Sequence, residues 1–458
     1  MALIKSISGI RGTIGGKPGE TLSPLDIVKF TSAYGSILLE KNKTPKVVLG
    51  RDGRISGPMV RDLVVSTLSA LGIQVVDLGL STTPTVELAV TMEQADGGII
   101  LTASHNPKEW NALKLLDDRG EFISAETGEK LLELAKADAY LYTSVDKLGA
   151  ITQADYLQKH IDAILAYPLV NREAIASRNF SVVVDAVNST GAIFVPALLK
   201  ALGVEKITVL NEEVNGRFAH NPEPLPEHLT QLSAEVVRRK ADLGIAVDPD
   251  VDRLAFVCED GSMFGEEYTL VAVADYILSQ RPGNTVSNMS STKALKEITM
   301  RRGGEYYPSA VGEVNVVKKM KEVNAVIGGE GNGGIIVPDF HYGRDALIGI
   351  ALFLTHLSVQ KTTIKSLRGT YPDYFISKNK IELEQGVDVP GIFEKIRNKY
   401  PRNPVNTEDG LKIEFDSDWV HLRTSNTEPI IRIYAESDYE SKANNIAARL
   451  MQDIREFV

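Results

Sequence analysis

Residues 97–107 read GGIILTASHNP: an apolar run of strand character ends, and within four positions the chain presents a hydroxyl, an imidazole, a carboxamide and a proline. The same transition recurs along the chain. DLGIAV runs into DPDVDR near residue 250, NAVIGG into EGNGG near 331, and DWVHL into RTSNTEP near 425. Open α/β sheets place ligands beyond the carboxyl ends of their strands, so these loops, each from its own domain, are expected to face one cleft. Polar loops after strands are also common without function. Between the loops, helix and strand patterns alternate. Ser23-Pro24 forms an N-cap with proline at N1 before a helix through LDIVKFTSAYGSILLE; KVVLG predicts a strand, PMVRDLVVSTLSALG a helix and QVVDLGL a strand. That rhythm is α/β. The last segment pairs strand patterns (KNKIELE, LKIEFDSDWVHLRT, IIRIYAES) with a final helix, KANNIAARLMQDIREF, which is an α+β order.

A chain of 458 residues is too long for one ordinary core, and ~150 residues per domain predicts three or four. Connecting stretches set the expected domains at 1–150, 151–254, 255–368 and 369–458. Hydrophobic residues at 43% and charged residues at 24% exclude a disordered or fibrous chain. The single cysteine, Cys258, lies in a strand-like run, permits no internal disulfide and fits a reducing compartment. MALIKSISGIRG lacks the apolar core of a secretory leader, and the longest apolar run, Leu347 to Leu354, falls far short of the ~20 residues of a membrane span. A cytoplasmic protein with no membrane partner is expected. A net charge of −10 argues against nucleic-acid binding. Any anionic ligand must be held by locally clustered Arg and Lys.

In DPDVDR, Asp248, Asp250 and Asp252 repel one another unless a hard cation sits among them. An EF-hand is rejected because its sixth position is Arg253 rather than glycine and the flanks are strands. Three ligands from one short loop leave room for an outside oxygen, which suits Mg²⁺ awaiting a phosphate; the plain alternative is a solvated acidic turn. Gly329, Gly331 and Gly334 satisfy G-x-G-x-x-G, but the following IIVPDF does not open a helix, so no dinucleotide site is expected. Glu330 and Asn332 can instead bond hydroxyls of a polyhydroxylated ligand, or the loop is a tight hairpin. Arg423, Ser425, Asn426, Thr427 and Arg432 offer what a phosphate dianion needs, charge-assisted donors and turn N–H groups, with a solvated turn as the alternative. No P-loop occurs. Ser104 has three readings. It caps a helix before Pro107; it is a hydrolase nucleophile, although G-x-S-x-G is absent and His105 is expected to point elsewhere; or it carries and relays a phosphoryl group whose charge the three-aspartate metal balances.

These motifs together resemble the α-D-phosphohexomutase superfamily, in the bacterial and archaeal branch of phosphoglucosamine mutases and phosphomannomutase/phosphoglucomutases. The resemblance covers the whole chain. It rests on TASHNP with Lys114 in NALK, DPDVDR, GEGNGG and RTSNTEP in family order, with SGIRGTIG resembling the N-terminal loop that carries Arg11. It implies an α/β fold of four domains around a central cleft: three α/β domains of shared topology with mixed sheets and a C-terminal α+β (TBP-like) domain. It also implies that Ser104 is phosphorylated and binds one Mg²⁺ with Asp248, Asp250 and Asp252, with Arg253 beside the ion. Arg11, His105 and Lys114 are then expected near the transferring phosphoryl, Lys114 as a candidate for proton transfer. Glu330 and Asn332 would take sugar hydroxyls, and residues 423–427 with Arg432 the phosphate not reacting. The chain departs from many relatives in carrying Gly334 where they end GE-x-S-G-H with histidine.

The implied activity is reversible 1-to-6 phosphoryl transfer on a hexose phosphate through phosphoserine and a hexose 1,6-bisphosphate intermediate, as a monomer or homodimer. Phosphoglucosamine mutase is expected first and phosphomannomutase/phosphoglucomutase second; the non-enzymatic alternative is a sugar-phosphate binding protein. A kinase or phosphatase is disfavoured by the lack of a P-loop and of D-x-D-x-T.

Overall fold

The computed structural model describes residues 3–6, 9–384, 386–424 and 430–457. Contacts within the chain divide it into two compact units, Met1–Tyr276 with Asn332–Arg368, and Ile277–Gly331 with Gly369–Val458.

In the first unit, alternating apolar side chains decide the layering. Along Lys46–Arg51, Val47 and Leu49 enter one core while Val48 enters another; along Gly97–Leu101, Ile99 and Leu101 separate from Ile100 in the same way. A strand apolar on both faces must be covered on both, as in α/β sandwiches. The sheet has seven strands in the order Leu3–Ser6, Gly9–Thr13, Trp110–Leu116, Gly97–Leu101, Lys46–Arg51, Gln74–Leu80, Ile151–Gln153. It is mixed: Gly97–Leu101 pairs parallel with Lys46–Arg51 and antiparallel with Trp110–Leu116. Helix Pro24–Lys41 opens as expected, with Ser23 and Asp26 forming a capping box and Pro24 at the start.

A second sheet of four strands runs Leu254–Cys258, Leu243–Val247, Ser181–Asp185, Lys206–Leu210, parallel except for the antiparallel Leu254–Cys258. Cys258 is buried in it. Strands flank the acidic loop on both sides, which agrees with the rejection of an EF-hand. A hairpin, Gly334–Val337 with His341–Arg344, leads into helix Ala346–Gln360, whose residues from Ala346 to Ser358 are all buried. This helix holds the longest apolar run; among the described residues no helix is long and apolar enough to cross a membrane.

In the second unit, Asn284–Asn288 lies between Tyr306–Ser309 and Ala325–Glu330, all parallel. The C-terminal sheet is antiparallel in the order Phe375–Glu382, Ile430–Ser437, Trp419–Thr424, Leu411–Glu414, Val405–Asn406. Helices Val389–Lys399 and Glu440–Phe457 contribute Ile392, Ile396, Ile446, Leu450 and Ile454 to its core, the α+β arrangement expected there. The G-x-G-x-x-G stretch ends in strand Gly334–Val337 and opens no helix.

Candidate active site

The buried strand Gly97–Leu101 delivers Thr102 and Ser104 at its carboxyl end. Ser104 has φ 49°, a left-handed conformation that costs a non-glycine residue about 1–2 kcal/mol. Hydrogen bonds offset that cost. The Ser104 N–H donates to Thr102 Oγ1 (2.9 Å), whose hydroxyl donates to Asp52 Oδ2 (2.6 Å). Arg54, 1% exposed, donates through Nε to the same Asp52 oxygen (3.0 Å). Its terminal nitrogens reach four carbonyls of the loop: Ser104 O, Asn106 O (2.7 Å), Pro107 O (2.7 Å) and Trp110 O (2.9 Å). The next element is the strand Trp110–Leu116, so neither Ser104 nor Asn106 caps a helix.

The Ser104 hydroxyl donates to Asp248 Oδ2 at 2.7 Å, across 144 residues of sequence. Asp248 follows the buried strand Leu243–Val247, and Asp248, Asp250 and Asp252 are all fully buried. Asp248 Oδ1 accepts the N–H groups of Asp252 and Arg253 (3.1 Å each), which closes the loop around Val251 at φ 61°. Pro249 O is held by the hydroxyls of Ser189 (2.6 Å) and Thr190 (2.9 Å). Asp250 Oδ2 accepts from Thr83 Oγ1 (2.5 Å) and Lys114 Nζ (2.7 Å); Asp252 Oδ2 accepts from Lys114 Nζ (3.1 Å) and Arg344 Nη2 (2.7 Å).

Asp250 Oδ1 and Asp252 Oδ1 are buried and have no hydrogen-bond partner among the described residues. Ligand atoms of the three aspartates lie within 4.8 Å of one another. Buried carboxylate oxygens without donors demand a cation or a proton. Burial, then the charges of Asp250 and Asp252, push the Asp248 carboxyl well above the ordinary carboxylate range. Burial would raise Asp252 too, but Arg344, Lys114 and Arg253 outweigh it and hold it below that range. An all-oxygen donor set of this charge fits Mg²⁺.

Cations surround the trio. Burial alone would lower the Lys114 ammonium; Asp250 and Asp252 reverse this and raise it, so Lys114 is held charged. Arg11, on strand Gly9–Thr13, donates to Asn106 Oδ1 (2.8 Å), and Arg253 pairs with Glu223 (3.0 Å). His105 was expected to point away, yet its Nδ1 lies 3.3 Å from Ser104 Oγ, because the left-handed turn brings the neighbouring side chain alongside. Burial, then Arg253 and Arg11, push its pKa well below 6.5.

The remaining candidates are placed as follows. Asn332 belongs to the first unit, where its Oδ1 accepts the Gly334 N–H (3.2 Å). Glu330 belongs to the second, ending strand Ala325–Glu330; its Oε1 accepts from Asn288 Nδ2 (2.9 Å) and the Gly312 N–H (3.0 Å). Arg423 and Arg432 are directly opposed on adjacent strands, and Arg423 pairs with Asp409 (3.2 Å). Like charges in that relation are destabilising unless an anion joins them. Ser425, Asn426 and Thr427 lie outside the described residues.

Asp52, Arg54, Thr83, Glu223 and Arg344 had not been singled out from the sequence. A signal existed for most of these: RDGR and STTP follow the strands Lys46–Arg51 and Gln74–Leu80 as directly as SHNP follows its own.

Known proteins carry the same succession of domains along the chain. Residues 3–141, 158–261 and 265–374 match Phosphoglucomutase/phosphomannomutase alpha/beta/alpha domains I, II and III, and residues 378–453 match the C-terminal domain of that family. A Phosphoglucomutase/phosphomannomutase from Thermococcus kodakarensis is 36% identical over 94% of this chain and 95% of its own. The chain belongs to the phosphoglucomutase/phosphomannomutase family. As a member of the α-D-phosphohexomutase superfamily it is a phosphohexomutase, an isomerase of four domains, three of them α/β. Another relative in the superfamily, named "Probable phosphoglucosamine mutase", from Methanopyrus kandleri, is 33% identical over 98% of both chains. The crystal structure of a Phosphoglucomutase/phosphomannomutase family protein from Burkholderia thailandensis superposes with a TM-score of 0.84 at 27% identity, covering 99% of this chain and 97% of that one.

Proposed function

We propose that this phosphohexomutase is a phosphoglucosamine mutase, converting glucosamine 6-phosphate to glucosamine 1-phosphate through phosphoserine at Ser104. The observation that carries the relay is the 2.7 Å contact from Ser104 Oγ to Asp248, beside two buried aspartate oxygens that lack a donor among the described residues. The sugar rests on weaker ground, the names of relatives such as that of M. kandleri.

In the forward half-reaction the free sugar hydroxyl attacks phosphorus in line, the bond from phosphorus to Ser104 Oγ breaks, and the hydroxyl proton passes to a base. His105, whose Nδ1 lies 3.3 Å from Ser104 Oγ, is the proposed acceptor. The resulting hexose 1,6-bisphosphate turns round, and its other phosphoryl returns to Ser104. One Mg²⁺, held by Asp248, Asp250, Asp252 and the phosphoserine, would neutralise charge on the phosphoryl oxygens. Lys114, Arg11 and Arg253 add positive charge where the transition state gathers negative charge. Lys114 is held as a cation between two carboxylates, which favours charge neutralisation or proton donation over service as a base. Glu330 and Asn332 are proposed to bond sugar hydroxyls, and Arg423, Ser425, Asn426, Thr427 and Arg432 the idle phosphate.

The test is turnover of glucosamine 6-phosphate, mannose 1-phosphate and glucose 1-phosphate by enzyme primed with glucose 1,6-bisphosphate. A kcat/KM for glucosamine 6-phosphate at least ~10-fold above the others, about 1.4 kcal/mol of transition-state preference, is expected. If mannose or glucose phosphates are preferred, the second reading holds, phosphomannomutase/phosphoglucomutase, which the T. kodakarensis relative favours. Ser104→Ala abolishes turnover with all three sugars while leaving the fold intact; retained mutase activity removes the relay.

A further inference from the structure

We propose that Arg344 is a positioning residue of the metal site, acting through Asp252, and that Gly334 is glycine in order to admit it. The inference rests on the mutase reading of the acidic loop and identifies what occupies the space beside Gly334 at the end of the GEGNGG loop. Gly334 begins the strand Gly334–Val337, in ordinary extended territory where any residue fits; its φ is not among the positive values of the chain. Space is what excludes a side chain. A Cβ at position 334 would lie 2.3 Å from Arg344 Cδ and 3.1 Å from Asn332 Oδ1. A glycine inside a strand weakens it and marks a close approach of other atoms. Here those atoms are the arm of an arginine, only 8% exposed, that runs past Gly334 to place Nη2 at 2.7 Å from Asp252 Oδ2.

The arm has a rigid mount. Arg344 ends the strand His341–Arg344, with Ile336 as its cross-strand partner. The next residue, Asp345, caps helix Ala346–Gln360 by accepting the N–H groups of Leu347 (2.7 Å) and Ile348 (3.2 Å). Its other oxygen takes His160 Nε2 (3.0 Å) and His341 Nε2 (3.1 Å). The Asp345 N–H donates to Ile335 O (2.9 Å) and the Ala346 N–H to Val251 O (3.2 Å), inside the acidic loop itself. Backbone and guanidinium therefore approach that loop from one short segment. Arg344 and Lys114 both occupy Asp252 Oδ2, which leaves Oδ1, without a donor among the described residues, free to serve a cation held by the three clustered carboxylates. Outer partners that orient a metal ligand in this way typically change metal affinity or activity 10–100-fold when removed.

The experiment measures Mn²⁺ binding to the full-length, unphosphorylated enzyme by calorimetry or by loss of the free Mn²⁺ resonance, alongside kcat and KM. Arg344→Ala should weaken Mn²⁺ binding by roughly 10-fold or more, raise the Mg²⁺ concentration for half-maximal turnover in step, and leave KM for the hexose phosphate within about threefold. Arg344→Lys should recover part of the loss. Gly334→Ala should weaken binding as Arg344→Ala does, and the double variant should be no worse than either, since both act on one contact. Mn²⁺ affinity unchanged in Arg344→Ala, or fully additive effects of the two substitutions, overturns the proposal. If Arg344→Ala does not fold, Gly334→Ala and Arg344→Lys decide alone by the same readout. A wild-type chain that interconverts no hexose phosphate, yet shows the Arg344 effect on Mn²⁺, removes the mutase reading and supports this one.

Discussion

Arg54→Met keeps the length of the arginine's stem as far as Nε but removes the fully buried guanidinium, and tests what holds Ser104 in its left-handed turn. The wild-type side chain makes five hydrogen bonds, one to Asp52 and four to carbonyls of residues 104–110. Each bond from a charged donor is worth about 1.5–3 kcal/mol, but they are lost together and the loop relaxes, so they do not add. A better guide is the removal of one member of a buried ion pair, ~3–5 kcal/mol, because Asp52, 0% exposed, is left uncompensated. At 1.36 kcal/mol per decade this predicts a loop opening favoured by roughly 10²- to 10⁴-fold. Hydrogen–deuterium exchange, followed by mass spectrometry, should show faster exchange in peptides covering 102–110, with those of the buried helix Ala346–Gln360 as the internal control. Turnover should fall at least ~100-fold, since Ser104 no longer meets Asp248 in a fixed geometry. Arg54→Lys, with fewer donors, should fall between. Exchange in 102–110 within about threefold of wild type, with near-normal turnover, would show that the arginine's bonds are incidental to the serine's placement.

Two further outcomes follow from the same geometry. Chelation of divalent cations should stop hexose phosphate interconversion and added Mg²⁺ should restore it, with the chain folded throughout by circular dichroism; full turnover in excess chelator contradicts the role given to the aspartates. His421, 1% exposed, bonds Ser290 Oγ and Asp409 O, and burial pushes its pKa from 6.5 down to about 4. The folded state resists protonation that the unfolded chain accepts, so the stability of the second unit is full above about pH 6.5 and declines towards pH 4, by about 3 kcal/mol. His421→Asn cannot take up that proton, and its stability should be less sensitive to acid in this window; identical slopes for the two proteins would contradict the account.

Much of the site was legible because it obeys a rule about strands. Ser104 and the three aspartates stand at carboxyl ends of buried parallel strands, where side-chain pattern and loop chemistry change together within a few residues. Asp52, Arg54 and Thr83 obey the same rule but carry no unusual composition, and only the fold reveals that one guanidinium spans four carbonyls. Arg344 was beyond reach: it ends an antiparallel strand 92 residues from Asp252, and its clue is an empty Cβ position at Gly334. His105 defeated a local expectation, since neighbouring side chains diverge in extended or helical backbone but not at the left-handed turn Ser104 adopts. The α+β order of the C-terminal segment was legible from alternation alone, because its strands bury one face against helices Val389–Lys399 and Glu440–Phe457.

The acidic loop is braced by its own chain: Ser189 and Thr190 on Pro249, two backbone amides on Asp248, and Thr83, Lys114 and Arg344 on the Oδ2 atoms of Asp250 and Asp252. The scaffold thus keeps like charges crowded at its own expense, and an arriving cation relieves a tension already present instead of having to organise its seat. Crowding of this kind costs stability in return for function, the general trade at active sites. A sequence that let those carboxylates drift apart would be sturdier when empty and poorer at capturing the ion it needs.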